Sequence, residues 1–133
     1  MQESEKSRND GGAVFSKEDT LASVEGDREL LLEVVGIFMD ECPTSVAAIR
    51  KALDERDASG LDRSAHTLKG MVGNFGACAC MERALRLEKM GKSSDFTNAR
   101  EAFATLEEEL ERLKNALEQF AGEAQDENTY SRG

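Results

Sequence analysis

Tryptophan is missing from this chain, and proline, tyrosine and histidine each occur once in 133 residues. With so little proline and so few aromatics, and with Leu, Ala, Glu, Lys and Arg abundant, the composition favours helix over sheet. No apolar run approaches the roughly 18 residues of a spanning helix, and the first thirty residues are polar and acidic rather than signal-like. No membrane contact is therefore expected. The three cysteines, Cys42, Cys78 and Cys80, are odd in number and lack C-x-x-C spacing, which fits a reducing, cytoplasmic compartment and not a disulfide framework. One histidine and a C-x-C pair are too few ligands for zinc, so no metal site is expected. Net basic charge is also lacking: the formal charge is −10, which argues against nucleic acid as a partner. There is no Walker loop, no G-x-S-x-G and no second histidine, so a self-contained kinase or hydrolase is disfavoured and the chain is not expected to phosphorylate itself from ATP.

What is present suits one small domain. Residues 1–13 are polar, carry the Gly11-Gly12 pair and read as a flexible tail or linker, as do residues 122–133. Ser16 to Val24 reads as a short helix capped by Ser16, with Asp19 three residues on. From Asp27 to about Asp57 an apolar stripe runs through Leu30, Leu31, Val34, Phe38, Cys42, Val46, Ile49, Ala52 and Leu53; Pro43 makes it either two helices or one kinked helix. Leu61, Ala65, Leu68, Val72 and Phe75 form a second seam, which Gly76 can stop in the left-handed region. A third helix from about Ala77 to Met90 would bury Cys80, Met81, Ala84, Leu85 and Leu87 and end at Gly91. Phe96, Ala99, Phe103, Leu106, Leu110, Leu113, Leu117 and Phe120 keep three-four spacing over 25 residues. The expected fold is all-α: an antiparallel four-helix bundle over residues 14–121 with a short additional N-terminal helix. The long last seam also permits a coiled-coil dimer strand; a monomer is preferred, because three other amphipathic segments need partners for their apolar faces.

Charge is unevenly spread. Residues 61–92 hold six cations, Arg63, Lys69, Arg83, Arg86, Lys89 and Lys92, against Asp62, Glu82 and Glu88. A basic island on an acidic chain suits an encounter with something negative. Winding residues 61–77 at 100° per residue with His66 at 0° puts the apolar seam at about 180° to 260°, so His66 must face solvent. Gly70 and Gly73 fall beside it at about +40° and −20°, with Lys69 at about −60° and Arg63 at about +60°. Two helical glycines forgo roughly 2 kcal/mol of helix propensity on a face turned from the core. A strip cleared of side chains beside a projecting imidazole suits close approach by another protein surface, and imidazole is a good nucleophile near neutral pH.

The run A65-H66-T67-L68-K69-G70, then G73-N74-F75-G76-A77 and L87-E88, with G26-D27-x-x-L30-L31 and F38 upstream, resembles the histidine-containing phosphotransfer (HPt) domain family. The resemblance covers roughly residues 14–121. It implies that His66 is the phosphoacceptor, that Lys69 stabilises the phosphoryl group and that Gly70 gives the partner access. Arg63, Gly73 and Asn74 are expected to contact that partner. The implied partners are response-regulator receiver domains or a hybrid histidine kinase, between which the chain would pass phosphate in a two-component phosphorelay. The Mg²⁺ that assists transfer would be the receiver's, and this chain would need no cofactor of its own. The Met71-Val72 pair is bulkier than the small residues common after the glycine. The competing reading is a helical interaction or dimerisation module without chemistry, which leaves Gly70 and Gly73 without a purpose.

Overall fold

The first three helices of this chain begin where a short polar side chain caps them. In the computed structural model, which describes residues 14–132 and side chains as far as residue 123, five helices follow one another. Residues 1–13, read above as a tail, lie outside the described residues. Helix α1 is Lys17–Ser23, with Ser16 Oγ accepting from the Asp19 amide. Helix α2 is Arg28–Glu55, opened by Asp27, whose carboxylate accepts from the Glu29 and Leu30 amides. It closes at Arg56 in the left-handed region, and Asp57 then caps α3, Ala58–Gly73, through the Gly60 amide. Such caps satisfy amide donors that have no partner inside the helix. After the left-handed Gly76 comes α4, Cys78–Ser93, and then α5, Ala99–Arg132. Among the described residues there is no strand.

Helix α3 packs on α2 and most extensively on α4; α5 packs on α2 and α4, and α1 on α2. The core lies where the apolar stripes meet. Leu31, Phe38 and Ile49 of α2, the whole Leu61–Phe75 seam, Ala84 and Leu87 of α4, and Leu106, Leu110, Leu113 and Leu117 of α5 are buried together. The last seam is thus covered by helices of its own chain. Phe38 and Phe75 meet edge to face at 5.3 Å between centroids, and Phe15 meets Phe120 at 5.4 Å, spacings at which aromatic pairs attract beyond their buried area.

One open alternative is settled and three expectations change. Of the two readings of Pro43 the structure has the single helix: Pro43 lies inside α2 and is exposed, while Phe38 and Cys42 on the inner side stay buried, so the hydrogen bond it cannot donate is lost at a position outside the core. On the same helix Leu30 is 40% exposed, and Val35, five residues on, takes a place in the core. Gly91 does not end α4, which runs two residues further to a left-handed cap at Ser94. Gly91 is instead where α4 crosses α3, since a methyl group there would sit 2.5 Å from the Asp62 nitrogen and 2.8 Å from the Ala58 oxygen. Lastly, residues 122–132, read as a tail, continue α5 to Arg132; no proline follows Ala121, and one glycine is too weak a breaker to stop a helix already propagating.

Candidate functional site

The seam on α3 fixes the roll of that helix. Leu61, Ala65, Leu68, Val72 and Phe75 are at most 1% exposed, and turning the helix to expose any of them would forfeit roughly 1.5–3 kcal/mol per large side chain. His66, on the opposite face as its position requires, has 66% of its side chain exposed. The C-terminal end of α3 is held by the preceding segment. The Ser16 amide donates to the Phe75 carbonyl at 2.9 Å, and the Thr20 hydroxyl, which donates to the Ser16 carbonyl at 2.7 Å, lies 3.4 Å from the same Phe75 oxygen. Gly76 lies so close to Ser16 and Asp19 that a side chain there would collide with them.

His66 is exposed but not free. Its Nδ1 lies 3.0 Å from Oε2 of Glu88 on α4. Glu88 is only 6% exposed, and its other oxygen, Oε1, is 2.8 Å from Lys69 Nζ. Lys92, one turn along α4, stands 3.6 Å from Oε2 and 3.0 Å from Asp62 Oδ1. The Lys69 bond holds the Glu88 carboxyl below the usual carboxylate range against the opposing effect of burial, and the His66 bond assists. Glu88 is therefore an anion at neutral pH and can only accept hydrogen bonds. The proton of a neutral His66 ring must then reside on Nδ1, which leaves the lone pair on Nε2, the nitrogen turned away from Glu88.

Glu88 is a neighbour of His66 to which sequence reasoning gave no role, having counted it as an anion within the basic island and quoted it only as part of L87-E88. A signal for it existed. Cys80, Ala84, Leu87, Glu88 and Gly91 all fall on the buried stripe of α4, so Glu88 is a charged residue in a core register, which calls for buried partners. Lys69, expected beside a phosphoryl group, is instead paired with Glu88 here and only 28% exposed.

The remaining expected residues fall on two sides of His66. Gly70 is exposed, and a Cβ there would meet nothing within 4 Å. Gly73 is half-buried, and its Cβ would touch Met81 at 3.8 Å, so it belongs to the α3–α4 junction more than to an open strip. Arg63 is exposed, one Nη 2.9 Å from Ser59 Oγ. Asn74 lies away from the charge cluster, in a shallow groove between α3 and α2 formed with Val34, Ile37, Glu41 and Met71. Ile37, 55% exposed, and Leu30 are large apolar side chains left uncovered on that side. Cys42 and Cys80 are buried, with burial pushing the Cys80 thiol up to about 12, whereas Cys78 is exposed. Among the described residues no helix is long and apolar enough to cross a membrane, and no three His, Cys, Asp or Glu side chains are grouped as a metal would need.

Comparison with known proteins bears on the fold and the family. No curated protein sequence matches the chain. Its fold is that of the crystal structure of histidine-containing phosphotransfer protein B (HptB) from Pseudomonas aeruginosa PAO1, with a TM-score of 0.78 at 18% identity over 84% of this chain and 96% of that one. The model of the Hpt domain matches residues 33–116, which include His66, Lys69, Gly70 and Glu88. With the matched region spanning most of the described helices and enclosing the exposed histidine, the chain belongs to the Hpt domain family, the phosphocarrier modules of two-component signalling.

Proposed function

We propose that His66 is the phosphoacceptor of this chain and that it relays phosphate between the aspartates of receiver domains. The observation that carries the reading is the setting of the ring: Nδ1 lies 3.0 Å from the buried Glu88 carboxylate while 66% of the side chain is open to solvent, which leaves Nε2 as the nitrogen to react. The Nε2 lone pair attacks the phosphorus of an aspartyl phosphate, the P–O bond breaks, and the aspartate leaves as a carboxylate with that electron pair. The proton stays on Nδ1, so positive charge develops in a ring that faces Glu88, where an anion is already in place. Glu88 thus positions the imidazole and stabilises the charge that forms in it. Lys69 turns from Glu88 to the phosphoryl oxygens, where a charge-assisted hydrogen bond is stronger than a neutral one. Gly70 leaves the partner room for the in-line approach that transfer requires. The basic face, with Arg63, meets the acidic pocket around the receiver's aspartate, and the groove with Ile37, Met71 and Asn74 supplies an apolar flank.

In this reading four of the helices form an antiparallel bundle that acts as a rigid post for α3. The chain works as a monomer in the cytoplasm, has no kinase activity, and draws on no metal beyond the receiver's own Mg²⁺. The test is to mix it with a phosphorylated receiver. An acid-labile, alkali-stable phosphate should appear on the parent chain and be absent from His66→Gln, whose circular dichroism should match the parent. Lys69→Ala should accept phosphate more slowly or lose it sooner, and should also lower the thermal midpoint, because it leaves the 6%-exposed Glu88 carboxylate without its nearest cation. Acceptance by His66→Gln at the parental rate would refute the assignment.

A further inference from the structure

Three side chains converge on the buried Glu88 carboxylate. His66 and Lys69 contact it at 3.0 and 2.8 Å, and Lys92 stands 3.6 Å away, short of a full hydrogen bond, while Asp62 holds it at 3.0 Å; Glu88 Oε1 meets Lys69 as an ion pair without a well-formed hydrogen bond. The third cation acquires a purpose once His66 is phosphorylated. A phosphoryl group brings close to two negative charges and three acceptor oxygens, and Lys69 cannot serve it and Glu88 equally. If Lys69 turns outward, a carboxylate that is 6% exposed is left without its nearest cation, which a protein interior strongly disfavours. Lys92 is well placed to fill the gap. It lies at i+4 from Glu88 on the same helix, the spacing at which side chains meet, and its ammonium has three donors, enough to hold Asp62 and Glu88 together.

We propose that Lys92 is a positioning residue that takes over Glu88 when Lys69 moves to the phosphoryl group, so that the phosphorylated state keeps the buried carboxylate paired. Asp62 parks the Lys92 ammonium within reach while His66 is unmodified. The proposal rests on His66 as phosphoacceptor and adds to it a handover between two lysines. Lys92 touches neither the phosphoryl group nor the partner. It acts through Glu88, and its effect is on how much phosphohistidine is present at equilibrium.

The experiment uses the full chain with phosphoramidate as donor and ammonium chloride at known excess. One P–N bond breaks as another forms on Nε2, ammonia leaves, and phosphorus NMR reads the ratio of phosphohistidine to free donor. Lys92→Gln should lower that equilibrium constant about threefold, the size expected of a half-exposed ion pair, and Lys92→Arg should restore it. In a Glu88→Gln background the Lys92→Gln change should have no effect, because the group through which Lys92 acts has lost its charge. An equal loss in both backgrounds would overturn the proposal, since Lys92 would then act on the phosphate directly, and an unchanged constant in the parent background would overturn it as well. Should Glu88→Gln not fold, Lys89→Gln decides. Lys89 is an exposed cation adjacent in sequence to Glu88, and a loss equal to that of Lys92→Gln would reduce the effect to general surface charge. Absence of phosphohistidine from the parent chain would instead refute the reading of His66.

Discussion

Two glycines on neighbouring helices should respond to the same substitution with opposite signs. Gly70 has an ordinary helical φ, and a Cβ there meets nothing within 4 Å. Gly70→Ala therefore gains helix propensity without a steric penalty, about 0.5–1 kcal/mol, or about 2–4 °C in Tm for a domain of this size. Gly91 is also helical, but its Cβ would lie 2.5 Å from the Asp62 nitrogen and 2.8 Å from the Ala58 oxygen, both backbone atoms of α3 that cannot swing aside. Gly91→Ala must push α3 and α4 apart, at a cost of about 1–3 kcal/mol typical of overpacking. Because Glu88 and Lys92 flank that crossing, the shift should also loosen the contact with His66. Gly70→Leu should leave the fold intact, since the added side chain projects into solvent, yet it rises about one turn from the imidazole. Exchange with a receiver should slow at least ~10-fold, equivalent to about 1.4 kcal/mol in the barrier, while phosphorylation by phosphoramidate changes much less. Thermal unfolding measures the first pair and rapid-quench transfer the second. Destabilisation by Gly70→Ala, or equal slowing with the receiver and the small donor, would refute the reading of Gly70 as a cleared approach.

Acid should weaken the fold partly through Glu88. Its carboxyl is held below its usual value in the folded chain, mainly by Lys69, so the stability it contributes is complete above about pH 4.5, its unfolded value, and is lost as pH falls through the lower folded value. The difference in stability between the parent and Glu88→Gln should therefore shrink between pH 6 and 3, and parallel curves over that range would show that the pair does not stabilise the fold. Sedimentation equilibrium at micromolar concentration should report a monomer, because the Leu106–Leu117 seam is already buried within the chain; a stable dimer would return the last helix to a coiled-coil role.

The sequence alone determined whatever depends on one helix at a time. Apolar spacing located the helices, Ser16 announced the start of the first, and the wheel of residues 61–77 placed His66 opposite the buried seam with Gly70 beside it. Each follows from 3.6 residues per turn and from the chemistry of helix ends, which act over one or two turns of the same chain. What needed the tertiary structure depends on two helices at once. Pro43 was ambiguous until its side of α2 was known, because a lost hydrogen bond matters less where water replaces it. Gly91 read as a stop signal, since a glycine near a helix end and a glycine at a helix crossing look alike in one dimension. Glu88 lay within the quoted motif, yet nothing local ties it to a ring 22 residues earlier. That contact is decided by the relative roll and register of α3 and α4, which the core packing of Leu61, Leu68, Ala84 and Leu87 fixes to within a fraction of a turn. Only then does a carboxylate on one helix come to hold a histidine on the other, because a hydrogen bond 3.0 Å long tolerates little displacement of either partner.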